Sequence, residues 1–195
     1  MSVDGLHISL MELNDIQEAA NVLSVAMLNN PIHIAVFKGN GERERLEIER
    51  MFLELFHDFP AITFLARDDK KIVGVMRMKS CAGRKTPDES KKQEDVNDIH
   101  FRKMIWHREW AARDPVEQHW HLGPIGVLPS FRKMGIGSRF MDIFCTEVDK
   151  CSAKAYLETD LDENVRFYQK FGFEVVSNSN IFQVKNHYMT RVQRT

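Results

Sequence analysis

The run PIGVLPSFRKMGIGSRFM, Pro124 to Met141, constrains this chain more than any other stretch. An apolar, β-rich segment passes through a proline and an arginine into two glycines one residue apart, and the residues after them carry apolar side chains at helical spacing. A strand feeding a helix through a glycine loop gathers unpaired backbone N–H groups at the positive end of a helix dipole, which suits phosphate. Gly135 and Gly137 permit close approaches that a side chain would block. Arg132, Lys133 and Arg139 add positive charge. Glycines that merely fit a tight junction are the competing explanation, so other features must decide.

Two phosphate loops can be tested on spacing. The string G-x-x-x-x-G-K-[ST] does not occur, and the position three after Gly137, where a dinucleotide fingerprint wants a small residue, is Phe140. With a net charge of −1, the chain offers no global attraction to nucleic acid or to an anionic membrane surface, so an anion must be held locally. The longest apolar runs fall far short of a bilayer span, and the first residues lack a basic region followed by an apolar one. A cytoplasmic protein is the expectation. Cys81, Cys145 and Cys151 form no C-x-x-C pair and read as reduced thiols.

The remaining patterns describe a mixed α/β chain, read as one domain over residues 1–195 with an insert at about 81–115. Leu6 to Glu12 reads as a strand, and Asn14 with Gln17 has capping-box spacing, so a helix is expected from about Asn14. PIHIAVFKGNG reads as an apolar loop. A helix then carries Ile48, Met51, Phe52, Leu55, Phe56 and Phe59. AITFLARDD and KIVGVMRMKS form a hairpin. Cys81 to Asp95 reads as an exposed loop before a helix carrying Val96, Ile99, Trp106 and Trp110. EQHWHLGPIGVLP reads as a strand broken at Gly123-Pro124, where Gly and Pro mark a bulge or a turn. A helix from Ser138 to Cys151, the strand AYLETD, a helix from about Glu163 to Phe171, and the strands FEVVS and NHYMTRV complete the order.

Within that order, Val127-Leu128-Pro129-Ser130-Phe131-Arg132-Lys133-Met134-Gly135-Ile136-Gly137 resembles the acetyl-CoA motif of the GNAT superfamily of N-acetyltransferases, V-x-P-x-x-[RQ]-x-x-G-x-G. About 25 residues on, LETDLDENVRFYQKFGFEVV resembles that family's following strand and helix. The resemblance implies a central, mostly antiparallel twisted sheet of about seven strands, helices on both faces, and a splayed strand pair at the cofactor site. It also implies acetyl-CoA as cofactor. Ile125, Gly126 and Val127 would pair with its pantetheine arm, the backbone from Arg132, Lys133, Met134, Gly135, Ile136 and Gly137 to Ser138 would take the pyrophosphate, and Asn164 would bond the arm. LGPIGVLP also resembles the strand of a small-molecule branch that includes puromycin acetyltransferase.

Acyl transfer to an amine needs a deprotonated nucleophile, a stabilised oxyanion and a proton for the leaving thiolate. Asn164 and Tyr168 lie four apart and share a helix face. By resemblance Tyr168 is the acid, its hydroxyl near the thioester sulfur, with Phe167 and Phe171 the better core candidates beside it. Glu117, His119 and His121 share one strand face. His121 aligns with the position of the base in many members, and an ordinary histidine pKa suits that work. Glu117 and His119 stay open as alternatives, and a satisfied structural histidine is the competing reading, favoured for His119. No carboxylate or cysteine lies at ligand spacing from His119-x-His121, so no metal is expected.

The acceptor site should come from Asn29 to Gly41 and from the insert, with Pro31, Ile32, Ile34, Val36, Phe37, Trp106 and Trp110 as a pocket wall, a packed cap or a dimer surface. The expected function is transfer of acetyl to a primary amine of a small molecule. A protein or peptide amine, or a non-catalytic acyl-CoA sensor, are the alternatives. Neither nucleic acid nor membrane is an expected partner, and the chain should be a monomer or homodimer.

Overall fold

The computed structural model describes residues 5–84 and 98–192. The strands are β1 (Leu6–Leu10), β2 (Ile62–Asp68), β3 (Lys71–Cys81), β4 (His119–Val127), β5 (Lys154–Thr159), β6 (Glu174–Ile181) and β7 (Val184–Arg191). The helices are α1 (Ile16–Met27), α2 (Pro31–Phe37), α3 (Glu42–Asp58), α4 (Ile99–Ala111), α5 (Ile136–Lys150) and α6 (Asp162–Gln169). Among the described residues the strands form one sheet in the order β1-β2-β3-β4-β5-β7-β6, antiparallel throughout except between β4 and β5.

Both faces of the sheet are covered, which is why the central strand β3 reads as an almost unbroken apolar run, with Ile72 to Met78 buried. Ala20 and Leu23 of α1, Val36 and Phe37 of α2, and Ile48 and Phe52 of α3 pack with Val75 on one side. Phe140, Met141, Phe144 and Val148 of α5 pack with Met76 and Met78 on the other. No single helix among the described residues is long and apolar enough to cross a membrane.

Three expectations are corrected. The first helix does not start at Asn14 on a cap paired with Gln17: a short 3-10 turn spans Leu13–Asp15, and the Asp15 carboxylate accepts the Glu12 N–H at 2.9 Å while pairing with Arg67 at 2.7 Å. That bond to β2 delays the helix until Ile16. Second, PIHIAVFKGNG is not a loop but contains α2. Pro31 supplies a preset φ at its first turn, Ile32, His33, Val36 and Phe37 bury one face, and the Asp160 carboxylate accepts the Ile32 N–H at 2.7 Å. Lys38, at φ 63°, ends it. Third, β4 is continuous through Gly123-Pro124. The register runs from Met76 opposite Ile125 to Met78 opposite Leu122, so an extra β4 residue is absorbed as a bulge around a cis Gly123-Pro124 peptide. Val96 and most of the loop expected from Cys81 to Asp95 lie outside the described residues.

Candidate active site

β4 changes character halfway along. Its first residues pair with β5 as His119–Lys154, Trp120–Ala155 and His121–Tyr156, and there the parallel ladder stops. From Leu122 to Val127 the strand keeps β3 on one side, while Leu157 to Thr159 of β5 keep only β7. The backbone of Ile125, Gly126 and Val127 therefore presents an edge with no strand partner among the described residues, at the mouth of a seam between β4 and β5. Gly126 lies where α1 crosses closest: a Cβ there would come within 3.0 Å of Leu23.

The glycine loop follows directly. After a 3-10 turn at Pro129–Phe131, Arg132 is extended, Lys133 is at φ 64° and Gly135 at φ 81°, and α5 begins at Ile136. A Cβ built on Gly135 would meet no atom within 4 Å. The space beside Gly135 is therefore open, at a helix start whose first-turn N–H groups have no partner within the helix. Two of the expected cations are partly committed: Arg132 donates to the Ala26 carbonyl at 2.9 Å, tying the loop to α1, and Arg139 donates to the Leu6 carbonyl at 3.3 Å.

Asn164 and Tyr168 do share a face of α6 and both border the seam. The Asn164 amide donates to Thr159 Oγ1 at 3.2 Å. Around Tyr168 the burial is the reverse of expectation, because the tyrosine is only 6% exposed and Phe167 and Phe171 are half-buried. The reason is that α6 packs Tyr168 against Phe173, while Phe167 leans toward Gly137. Burial, aided by the Asp160 carboxylate, pushes the Tyr168 hydroxyl pKa up, so it is protonated throughout the neutral range.

The three residues expected on one strand face separate. Glu117 lies before β4, exposed, pairing with Lys154 at 3.3 Å. His119 is fully buried; its Nδ1 bonds the Glu117 carbonyl at 3.0 Å and its ring packs edge-on against Tyr156. His121 faces the seam, with Nε2 2.7 Å from Glu158 Oε2. Burial opposes charge on this imidazole, but the Glu158 carboxylate, Cys81 and Asp114 outweigh it and push the pKa up to about 10. This environment favours the protonated imidazole, against the ordinary histidine pKa expected from the sequence. The Cys81 thiol is correspondingly drawn down to about 6, burial opposing and hydrogen bonds with His119 and His121 prevailing.

Glu158 and Asp114 escaped the sequence reading. Glu158 had a signal, a carboxylate following the apolar Ala155-Tyr156-Leu157 in the strand AYLETD; Asp114 had none. The ligand atoms of Asp114, His121 and Glu158 lie within 4.8 Å of one another, so the fold supplies the carboxylates that local spacing denied His121. The 2.7 Å hydrogen bond already joins two of the three, and Lys79 supplies positive charge in the field of Asp114.

This chemistry opens on a cavity of about 310 Å³. Tyr168, Asn164, Ile125, His121 and Glu158 border its seam side. Of the expected acceptor residues, Ile32, Trp106 and Trp110 line it, whereas Val36 and Phe37 are core and Ile34 points outward. The end of α3 contributes Phe52, Leu55 and Phe59, which were expected only as a helix face. His33, buried among Phe37, Phe52 and Trp106 with no partner for either ring nitrogen among the described residues, is pulled down to about 4 by burial.

An open mixed sheet whose one parallel pair splays beside a glycine loop and an aromatic-walled cavity defines an acyl-CoA-dependent transferase class. The model of the Acetyltransferase (GNAT) family matches residues 30–173, and the chain belongs to that family of acetyl-CoA-dependent N-acetyltransferases. Among solved structures it is similar to one described as histone acetyltransferase HPA2 and related acetyltransferase from Corynebacterium glutamicum (18% identity, 98% of each chain, TM-score 0.69). It is also similar to arylalkylamine N-acetyltransferase 2 from Aedes aegypti (13% identity, 96% of this chain and 98% of that one, TM-score 0.65). A third, a family member from Brucella melitensis, was solved in complex with acetyl-CoA (16% identity, 97% and 89%, TM-score 0.56).

Proposed function

We propose that this chain acetylates the primary amine of a small molecule with an apolar body, by direct attack of the amine. The observation that carries the reading is the cavity itself: Tyr168 and the His121–Glu158 pair border the same space, at the point where the β4–β5 ladder opens. Acetyl-CoA, when bound, supplies the acetyl group activated as a thioester. The open edge of Ile125, Gly126 and Val127 would hold its arm, Asn164 would bond the arm from α6, and the N–H groups from Lys133 to Ser138 would hold its pyrophosphate.

The proton work falls to three side chains. Glu158 is the acceptor for the amine proton, because its partner His121 stays protonated through neutral pH and has no free lone pair. His121 holds Glu158 in place through their 2.7 Å hydrogen bond. Tyr168, held protonated, donates to the departing thiolate, and the Ile125 N–H meets the oxyanion. A cavity walled by α2, α3 and α4 favours a small amine over a peptide, and a donor at Tyr168 is superfluous in a sensor.

An amine panel scored by free CoA release tests this. Release with the wild type, together with its loss in Tyr168→Phe at retained acetyl-CoA affinity, is the expected result. No release from any amine would overturn the reading.

A further inference from the structure

We propose that Lys79 makes the acceptor site selective for a free α-amino acid with an apolar or aromatic side chain, by binding the carboxylate that such an acceptor carries beside its amine. The inference rests on the transferase reading above and concerns which amine is served. Carboxylate, guanidinium and ammonium groups lining the cavity come from Glu54, Arg77, Lys79, Lys103, Glu158 and Asp160. Five are committed. Glu158 bonds His121, Asp160 accepts the Ile32 N–H, Arg77 donates to the Phe59 carbonyl at 2.6 Å, and Lys103 stands 3.9 Å from Glu54.

Lys79 is the remainder. It is half-buried, and among the described residues it makes neither a hydrogen bond nor an ion pair. Asp114 and the Cys81 thiol lie close enough to feel its charge, but neither makes a hydrogen bond or ion pair with it. A partly desolvated ammonium in a cavity also lined by Phe52, Phe59 and Trp106 calls for an anion. Its position says which kind: Lys79 is directly opposite His121 in the β3–β4 ladder, and such neighbours have Cβ atoms about 5 Å apart. Groups that read an amine and a carboxylate on one carbon must be adjacent in this way.

The acceptor amine then faces the His121–Glu158 pair, the carboxylate faces Lys79, and the side chain lies on the aromatic wall. A peptide terminus presents a neutral amide in place of the carboxylate, and a plain arylalkylamine leaves Lys79 unanswered. Both should be served less well.

The test compares L-phenylalanine, L-phenylalaninamide and 2-phenylethylamine in the wild type and in Lys79→Met, by CoA release and by thermal shift in the presence of CoA. The wild type should prefer L-phenylalanine about tenfold or more in kcat/KM, through KM, with a matching preference in thermal shift. Lys79→Met should bring the ratio near one. Equal or better use of the amide or the amine by the wild type overturns the inference and leaves the transferase reading standing. A preference that survives in Lys79→Met, or an equal loss of kcat on all three, also overturns it. Absence of CoA release with every amine overturns both readings.

Discussion

The proposed donor side, from Ile125 at the cavity wall through the loop to Ser138, is one continuous run of chain, with only Asn164 and Tyr168 added from a helix a short way on. The acceptor side gathers Ile32 from α2, Phe52 and Phe59 from the end of α3, Lys79 from β3, Trp106 and Trp110 from α4, and Glu158 from β5. The donor side works through backbone: an unpaired strand edge and a helix start, whose geometry depends on local conformation. The acceptor side works through side chains whose chemistry depends on who their neighbours are. His121 shows the difference, since its partner Glu158 lies 37 positions away and raises its pKa.

The largest expected effects should separate proton work from binding. Glu158→Gln and Tyr168→Phe should each lower kcat by about a hundredfold or more, with the acetyl-CoA dissociation constant moved less than about threefold. Stopped kinetics and calorimetry read the two. A matching rise in the dissociation constant would show that donor and acceptor sides are not distinct. His121→Ala removes the imidazole that holds Glu158 at 2.7 Å. The rate should fall by about tenfold or more, and combining this change with Glu158→Gln should add little further, whereas losses that simply multiply would assign His121 a packing role.

The next effect is on stability. His33 stays neutral in the folded protein down to about 4, whereas in the unfolded chain it takes up a proton from its ordinary value of 6.5. A depressed pKa means that stability is lost as the pH falls from 6.5 toward 4, by about 3 kcal/mol at most. His33→Leu should flatten that acid limb in urea unfolding at pH 7 and pH 5. An unchanged slope would place the acid sensitivity elsewhere.

Smallest is Gly135→Ala. The added Cβ meets no atom within 4 Å, so its cost is the strain of φ 81°, about 1 kcal/mol, plus the loss of space in the loop. Titration should show weaker acetyl-CoA binding, by about tenfold, while the turnover of saturated enzyme stays within about twofold. A fall in turnover larger than the fall in affinity would tie the loop to the acceptor side.

The sequence by itself determined the order of the seven strands and of five of the six helices, and the family, because these rest on short-range facts: side-chain periodicity, proline and glycine backbone limits, and motif spacing. Its errors were also short-range, in that α2 lacked a local helix signal and draws its stability from buried Ile32 and Phe37 and from Asp160. Only the tertiary structure decided that His121 faces Glu158, that His119 is core and Glu117 solvent, and that Tyr168 is buried more deeply than the phenylalanines beside it. It also decided that Lys79 is the uncommitted charge. These outcomes depend on desolvation and on charges brought together across the sheet, and neither quantity exists until the strands are paired.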